Sequence, residues 1–221
     1  MVSNISFSNE LKHINNDKWN KILNHKFVIE IAEDILPVSK FSFYLKQDQI
    51  FLKTFCHLLT AAALIAYDKQ SKVWFESLID TTTKYEMPMQ NKILHQFEGN
   101  LELESSEVAA EETTMNYVSY MKKVSNFKDL ASIVSAMAPC PWTYYEITKA
   151  LNKSDTNEVF KPWIQFYSSK ESLNQVNQIQ GLLNKLAGNA DERKKIKMKN
   201  YFSISCDFEL EFWNMAYSYM K

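Results

Sequence analysis

The chain has 221 residues, with 25 basic against 26 acidic side chains for a net charge of −1, and 46% of it is apolar. That length and apolar content are enough for one domain with a real hydrophobic core, and they argue against disorder. The balanced charge offers no general attraction to nucleic acid or to an anionic membrane.

Breakers are scarce: three glycines (Gly99, Gly181 and Gly188) and five prolines. Strand-rich folds need many turn residues, so the composition reads as long helices joined by short loops. The polar start up to Asn24 lacks the apolar run of a signal peptide, and Phe55 to Tyr67 is too short to span a bilayer. The expected location is therefore the cytoplasm, with no membrane and no nucleic acid as partner. Three cysteines at 56, 140 and 206 show no CxxC spacing. Neither a disulfide framework nor a zinc site is indicated, and a reduced thiol is left available for chemistry.

In chain order, the first helix is predicted over Asp17 to Glu33, with Trp19, Ile22, Leu23, Phe27 and Ile31 on one stripe. Pro37 closes the connection after it. Ser39 caps a long helix to about Asp68, and a second helical stretch runs from Gln70 to Asn100 with an interruption at Pro88. Leu101 to Glu112 reads as a loop and a fresh helix start, leading to a helix with Tyr117, Tyr120 and Met121. Asn126 is the next expected cap, for a helix over Phe127 to Ala150 that carries Pro139 and Pro141 inside it. Phe160 to Lys170, Ser172 to Leu186 and Asp191 to Met220 are the last three. Leu36–Val38 and Val73–Phe75 could be strands by propensity, but their flanks are helical. The fold class is all-α, with no repeat or linker to divide a single domain over 1–221.

Three positions put a reactive polar group where packing would prefer an apolar one. Asp48 shares a helical face with Tyr44, Phe51 and Phe55, so it needs a hydrogen-bonding partner, whether a substrate or merely a tyrosine. Cys140 lies between Pro139 and Pro141, which must bend or break the helix and can turn the thiol toward a cavity. Its alternative is that of a small buried hydrophobe. Glu209 lies one turn before Phe212 and Trp213, where aromatic neighbours disfavour its charge and suit it to proton transfer, unless it serves only in a boundary salt bridge. His13, His25, His57 and His95 show no metal spacing, and no phosphate-binding or serine-hydrolase motif is present. Arg193-Lys194-Lys195 reads as a solvated helix face.

Taken together, Phe41-Ser-Phe-Tyr-Leu-Lys-Gln-Asp48, Tyr117-Val-Ser-Tyr, Pro139-Cys140-Pro-Trp142-Thr-Tyr144-Tyr-Glu146, Trp163-Ile-Gln-Phe-Tyr167 and Phe208-Glu209-Leu-Glu-Phe212-Trp213 resemble the TenA (thiaminase II) family of aminopyrimidine aminohydrolases. The likeness spans roughly Trp19 to Tyr217. It implies a heme-oxygenase-like multi-helix bundle, a homotetramer, and no metal or organic cofactor. It further implies Cys140 as nucleophile, Glu209 as acid/base, and Asp48 as the reader of the ring's amino group and adjacent nitrogen. Tyr117 and Tyr167 would hold thiol and ring, while Phe51, Tyr144 and Phe212 would line or stack on the ring. The implied substrate is 4-amino-5-aminomethyl-2-methylpyrimidine, with thiamine as a poorer one, and the product is the hydroxymethylpyrimidine of thiamine salvage.

The chain departs from that family twice. Phe51 stands where a tyrosine is usual, which keeps the ring face and loses a hydroxyl. A glycine usual near Asp34 is missing, a variation of the turn. Three other readings remain: a heme protein of the same fold using His25, a non-catalytic regulator of the transcriptional-activator type, and a helical assembly protein with a vestigial pocket.

Overall fold

The computed structural model describes residues 5–98, 109–152 and 158–220. The helices are α1 (Phe7–Ile14), α2 (Asn16–Leu23), α3 (Lys26–Ala32), α4 (Val38–Ile65), α5 (Lys69–Thr81), α6 (Met87–Glu98), α7 (Glu112–Ser125), α8 (Leu130–Met137), α9 (Pro139–Leu151), α10 (Lys161–Tyr167), α11 (Lys170–Gly188) and α12 (Glu192–Ser218). No strand occurs among the described residues. Val73–Phe75 lies inside α5, and Val38 opens α4.

The long α4 is the spine. Phe41, Tyr44, Leu45, Asp48, Phe51, Leu52, Phe55, Leu58, Leu59 and Ala62 follow helical spacing, and all are buried. They face α5 and α7, while α12 packs chiefly on α8. By length and apolarity alone α4 could cross a membrane. Its central Gln47 and Asp48 are buried against other helices instead, and both are hydrogen-bonded there. All eight residues of α8 are buried, so it forms the innermost rod of the bundle.

Several boundaries differ from the periodicity reading, each for a local reason. The single helix expected over Asp17 to Glu33 is two, because His25 caps α3: its Nδ1 accepts from the Phe27 N–H at 3.1 Å. The polar N-terminal stretch also holds α1, capped by Ser6. Its Lys12 reaches Glu146 at 2.6 Å, and Trp19 and Trp142 donate to the same carboxylate at 2.9 and 2.8 Å. Glu146 therefore ties α1, α2 and α9 together. Asn126 closes α7 rather than opening the next helix, and Asp129 caps α8 by accepting from the Ser132 N–H. The segment read as Leu101 to Glu112 lies mostly outside the described residues.

At the missing glycine, Asp34 takes φ +56°. This is the left-handed region, where glycine is most at ease and aspartate is among the better-tolerated alternatives.

Candidate active site

The site begins with two breaks in helical geometry. The first is at Cys140. The two prolines within the helix expected over Phe127 to Ala150 require a bend or break, and the chain breaks there: α8 ends at Met137 and α9 starts at Pro139. In the first turn of a helix the missing proline N–H would have had no partner anyway, so both prolines are tolerated there. The bend releases the Ala136 carbonyl, and Ser205 Oγ of α12 donates to it at 2.7 Å. Cys140 thus emerges at the N-terminal end of α9, partly buried on a cavity wall.

The second break precedes Pro88. Thr82–Glu86 forms a π-turn joining α5 to α6, and the Met87 N–H reaches back five residues to the Thr82 carbonyl. The wider turn carries Glu86 inward, where it is buried. Tyr167 donates to Glu86 Oε1 at 2.5 Å, and Thr82 donates to Oε2 at 2.9 Å. One turn later, Gln90 Nε2 donates to Asp48 Oδ2 at 2.6 Å. The other end of that amide, Gln90 Oε1, is buried without a partner among the described residues.

Between these two breaks lies a cavity of about 280 Å³. Cys140, Glu86, Thr82, Tyr167, Leu52 and Phe55 are on its wall, joined by Pro141, Phe166 and side chains of α5 and the start of α11. Cys140, Tyr167 and Glu86 therefore share one space. The other site residues expected from the sequence, Asp48, Phe51, Tyr117, Tyr144, Glu209 and Phe212, are not on this wall and are linked to one another instead. Tyr117 donates to Glu209 Oε1 at 2.7 Å. Phe51 packs on Tyr117 with ring centroids 4.5 Å apart and faces Phe212 at 6.3 Å. Tyr144 meets Tyr167 edge-on at 5.1 Å, and its hydroxyl accepts from Tyr44 at 3.2 Å.

Electrostatics joins the two groups. Glu209 is pushed up to about 7 by burial, against the opposing pull of the Tyr117 hydroxyl. Asp48 is held well above the usual carboxylate range, first by burial and then by the charges of Glu86 and Glu209. Glu86 is also raised by burial, while its two hydroxyl donors favour the charged form. The Cys140 thiol is raised well above its ordinary value by burial and by Glu209, Asp48 and Glu86 in that order. A helix N-terminus favours a thiolate, but here burial and three carboxyls outweigh it. In the protein by itself Cys140 is a thiol, and a positive charge brought beside it would lower its pKa.

The sequence reading missed Glu86, Gln90 and Thr82. They are spaced i, i+4 and i+8, yet Lys84, Tyr85, Asn91 and Lys92 among them make the stretch look solvated. Only the unusual turn turns that face inward. His25 has both ring nitrogens engaged, Nδ1 in capping and Nε2 with Asn214 Oδ1 at 3.1 Å. That geometry leaves no ring nitrogen for an axial heme ligand.

Residues 14–219 match the TENA/THI-4/PQQC family. The chain is 31% identical over 204 residues to an aminopyrimidine aminohydrolase of Halalkalibacterium halodurans, covering 90% of each chain. It is 29% identical over 214 residues to the aminopyrimidine aminohydrolase of Bacillus subtilis, covering 96% of this chain and 90% of that one. Among solved structures, a TenA homologue from Pyrococcus furiosus superposes with a TM-score of 0.85 at 27% identity, covering 96% of this chain and 100% of that one. A domain of unknown function with a heme oxygenase-like fold from Shewanella denitrificans superposes at 0.72 with 12% identity, over 97% of this chain and 93% of that one, and shares the fold. With nearly its whole length matched, the chain belongs to the TENA/THI-4/PQQC family.

Proposed function

We propose that the protein is an aminopyrimidine aminohydrolase that hydrolyses 4-amino-5-aminomethyl-2-methylpyrimidine to the hydroxymethylpyrimidine, as a step of thiamine salvage in the cytoplasm, and that it works as a homotetramer without a cofactor. The observation that carries the reading is Cys140 on the cavity wall within the field of three buried carboxyl groups. The names of the relatives support the same reaction class.

A 4-aminopyrimidine offers an amino group and an adjacent ring nitrogen. Asp48, held by Gln90, has one oxygen committed and its other free to accept from that amino group. Its raised pKa also lets it carry a proton that it shares with the ring nitrogen. Hydrogen bonding at that nitrogen draws electrons from the ring and opens it to a nucleophile. Cys140 Sγ then bonds to a ring carbon, and the thiol proton passes to a ring nitrogen. The displaced electron pair expels the aminomethyl nitrogen as ammonia. Glu209 supplies the final proton when that nitrogen is a neutral amine; an ammonium brings its own. Water adds to the exocyclic carbon and gives its proton to Glu209. The electrons return, the carbon–sulfur bond breaks, and the proton held on the ring nitrogen goes back to sulfur, restoring the aromatic ring and the Cys140 thiol. A group poised at about 7 can both give and take a proton at neutral pH.

Tyr117 aims Glu209, and Tyr167 places its hydroxyl between Glu86 and the ring. In this reading a ring that reaches past Cys140 stacks on Phe51, Tyr144 and Phe212, which are not on the cavity wall, and Phe51 provides stacking without the hydroxyl a tyrosine would add. The test is direct. Purified protein given aminomethylpyrimidine should release ammonia and hydroxymethylpyrimidine in equal amounts, and Glu209→Gln should lower kcat by about a hundredfold or more with KM changed only a few-fold. Release of neither product by the wild-type protein would overturn the reading.

A further inference from the structure

The acidic groups of this pocket have no cationic counterpart among the described residues. Asp48, Glu86 and Glu209 are all buried. None of them is ion-paired among the described residues, and their described hydrogen-bond donors are uncharged: Gln90, Tyr117, Tyr167 and Thr82. Among the described residues the cavity wall holds no lysine, arginine or histidine, and it adds a fourth acid, Glu171. A buried carboxylate without a positive partner is costly, and a ligand bearing a positive charge removes that cost on binding.

The three acids differ in what they can do for such a ligand. Asp48 is held by Gln90 off the cavity wall, and Glu209 is pushed to about 7 and serves in proton transfer. Glu86 alone of the three is on the cavity wall beside Cys140. Each of its oxygens accepts one hydroxyl donor and keeps a lone pair for another. Burial raises its pKa and two donated hydrogen bonds work against that rise, while the π-turn fixes its position.

We propose that Glu86 is a specificity-determining residue of this site: its carboxylate, carried into the cavity by the π-turn, selects pyrimidines whose departing substituent is positively charged. The inference rests on the aminopyrimidine reading above and names the form of substrate taken, an ammonium or other cation rather than a neutral substituent. The aminomethyl nitrogen is an ammonium in neutral water, whereas the hydroxymethyl product is uncharged on the same ring. Exchanging one for the other at the end of the reaction removes the attraction to Glu86, so the pocket favours product release.

The test compares wild-type protein with Glu86→Gln on those two molecules. The KM for aminomethylpyrimidine should rise about tenfold or more, the scale of a charge-assisted contact. The inhibition constant of neutral hydroxymethylpyrimidine should stay within about twofold of the wild-type value. Glu86→Asp, which keeps the charge, should recover part of the KM effect; if Glu86→Gln fails to fold, Glu86→Met, which also removes the charge, takes its place. An equal loss for both molecules would show a role confined to holding Tyr167, and no change in either would remove Glu86 from recognition; both results overturn the proposal. If wild-type protein does not turn over aminomethylpyrimidine, the functional reading falls by itself. Calorimetric affinities for the same pair then decide the charge preference: selective loss of the cation in Glu86→Gln upholds it, and equal binding overturns it.

Discussion

At the scale of single residues, Cys140 is the point where sequence and structure meet most closely. Its proline bracket was legible because two prolines around one cysteine cannot sit inside a regular helix. Asp48 and Glu209 were legible because each interrupts an otherwise apolar face. Glu86 was not, since nothing in a polar-looking stretch says which side faces inward. The carboxyls leave a chemical signature at the thiol. A cationic methanethiosulfonate should modify Cys140 at least about tenfold faster than its anionic counterpart, read by mass spectrometry of the Cys140 peptide, and low salt should widen the gap. Equal rates would mean the acids do not act on Cys140. At Asp34, where φ is +56°, Asp34→Gly should shift unfolding free energy by less than about 1 kcal/mol, as measured by urea titration.

At the scale of elements, the site depends on departures from regular helix. The bend at α8–α9 presents the thiol, and the π-turn before α6 presents Glu86 and Gln90. Helical periodicity finds the regular parts and is blind to a turn that is one residue wider than the rest. The entrance to α7 is fixed by a similar device from α4. Gln47 Oε1 accepts from the Glu111 N–H at 3.0 Å and the Thr114 hydroxyl at 2.7 Å, and its Nε2 donates to the Ala109 carbonyl at 3.1 Å. These contacts set the register of the helix that carries Tyr117. Gln47→Leu leaves those groups without their partner and should cost about 2 to 3 kcal/mol in denaturant unfolding. A cost under about 0.5 kcal/mol would show that water replaces Gln47 there.

At the scale of the whole molecule, the all-α architecture followed from composition, since three glycines cannot supply the turns of a strand-rich fold. Helix ends were less legible, because caps such as His25, Asp129 and Ser6 act through side-chain geometry that spacing alone does not reveal. The buried acids also tie stability to pH. Folded Glu209 keeps its proton up to about 7, whereas its ordinary value is 4.5. Between those values the folded chain binds more protons than the unfolded one. The stability present below about 4.5 is therefore lost as pH rises through about 7, by on the order of 3 kcal/mol. Asp48 and Glu86, raised by burial in the same direction, add to the fall. Unfolding free energy measured from pH 4.5 to 8 should decline, and Glu209→Gln should flatten the decline.

The proposed reaction turns on one event, the attack of Cys140 on a pyrimidine whose substituent then departs. The most direct measurement is ammonia release from aminomethylpyrimidine by Cys140→Ala, with helical content checked by circular dichroism. The expected result is a folded protein whose kcat is lower by at least about a thousandfold. Turnover within a few-fold of wild type would contradict nucleophilic catalysis by Cys140.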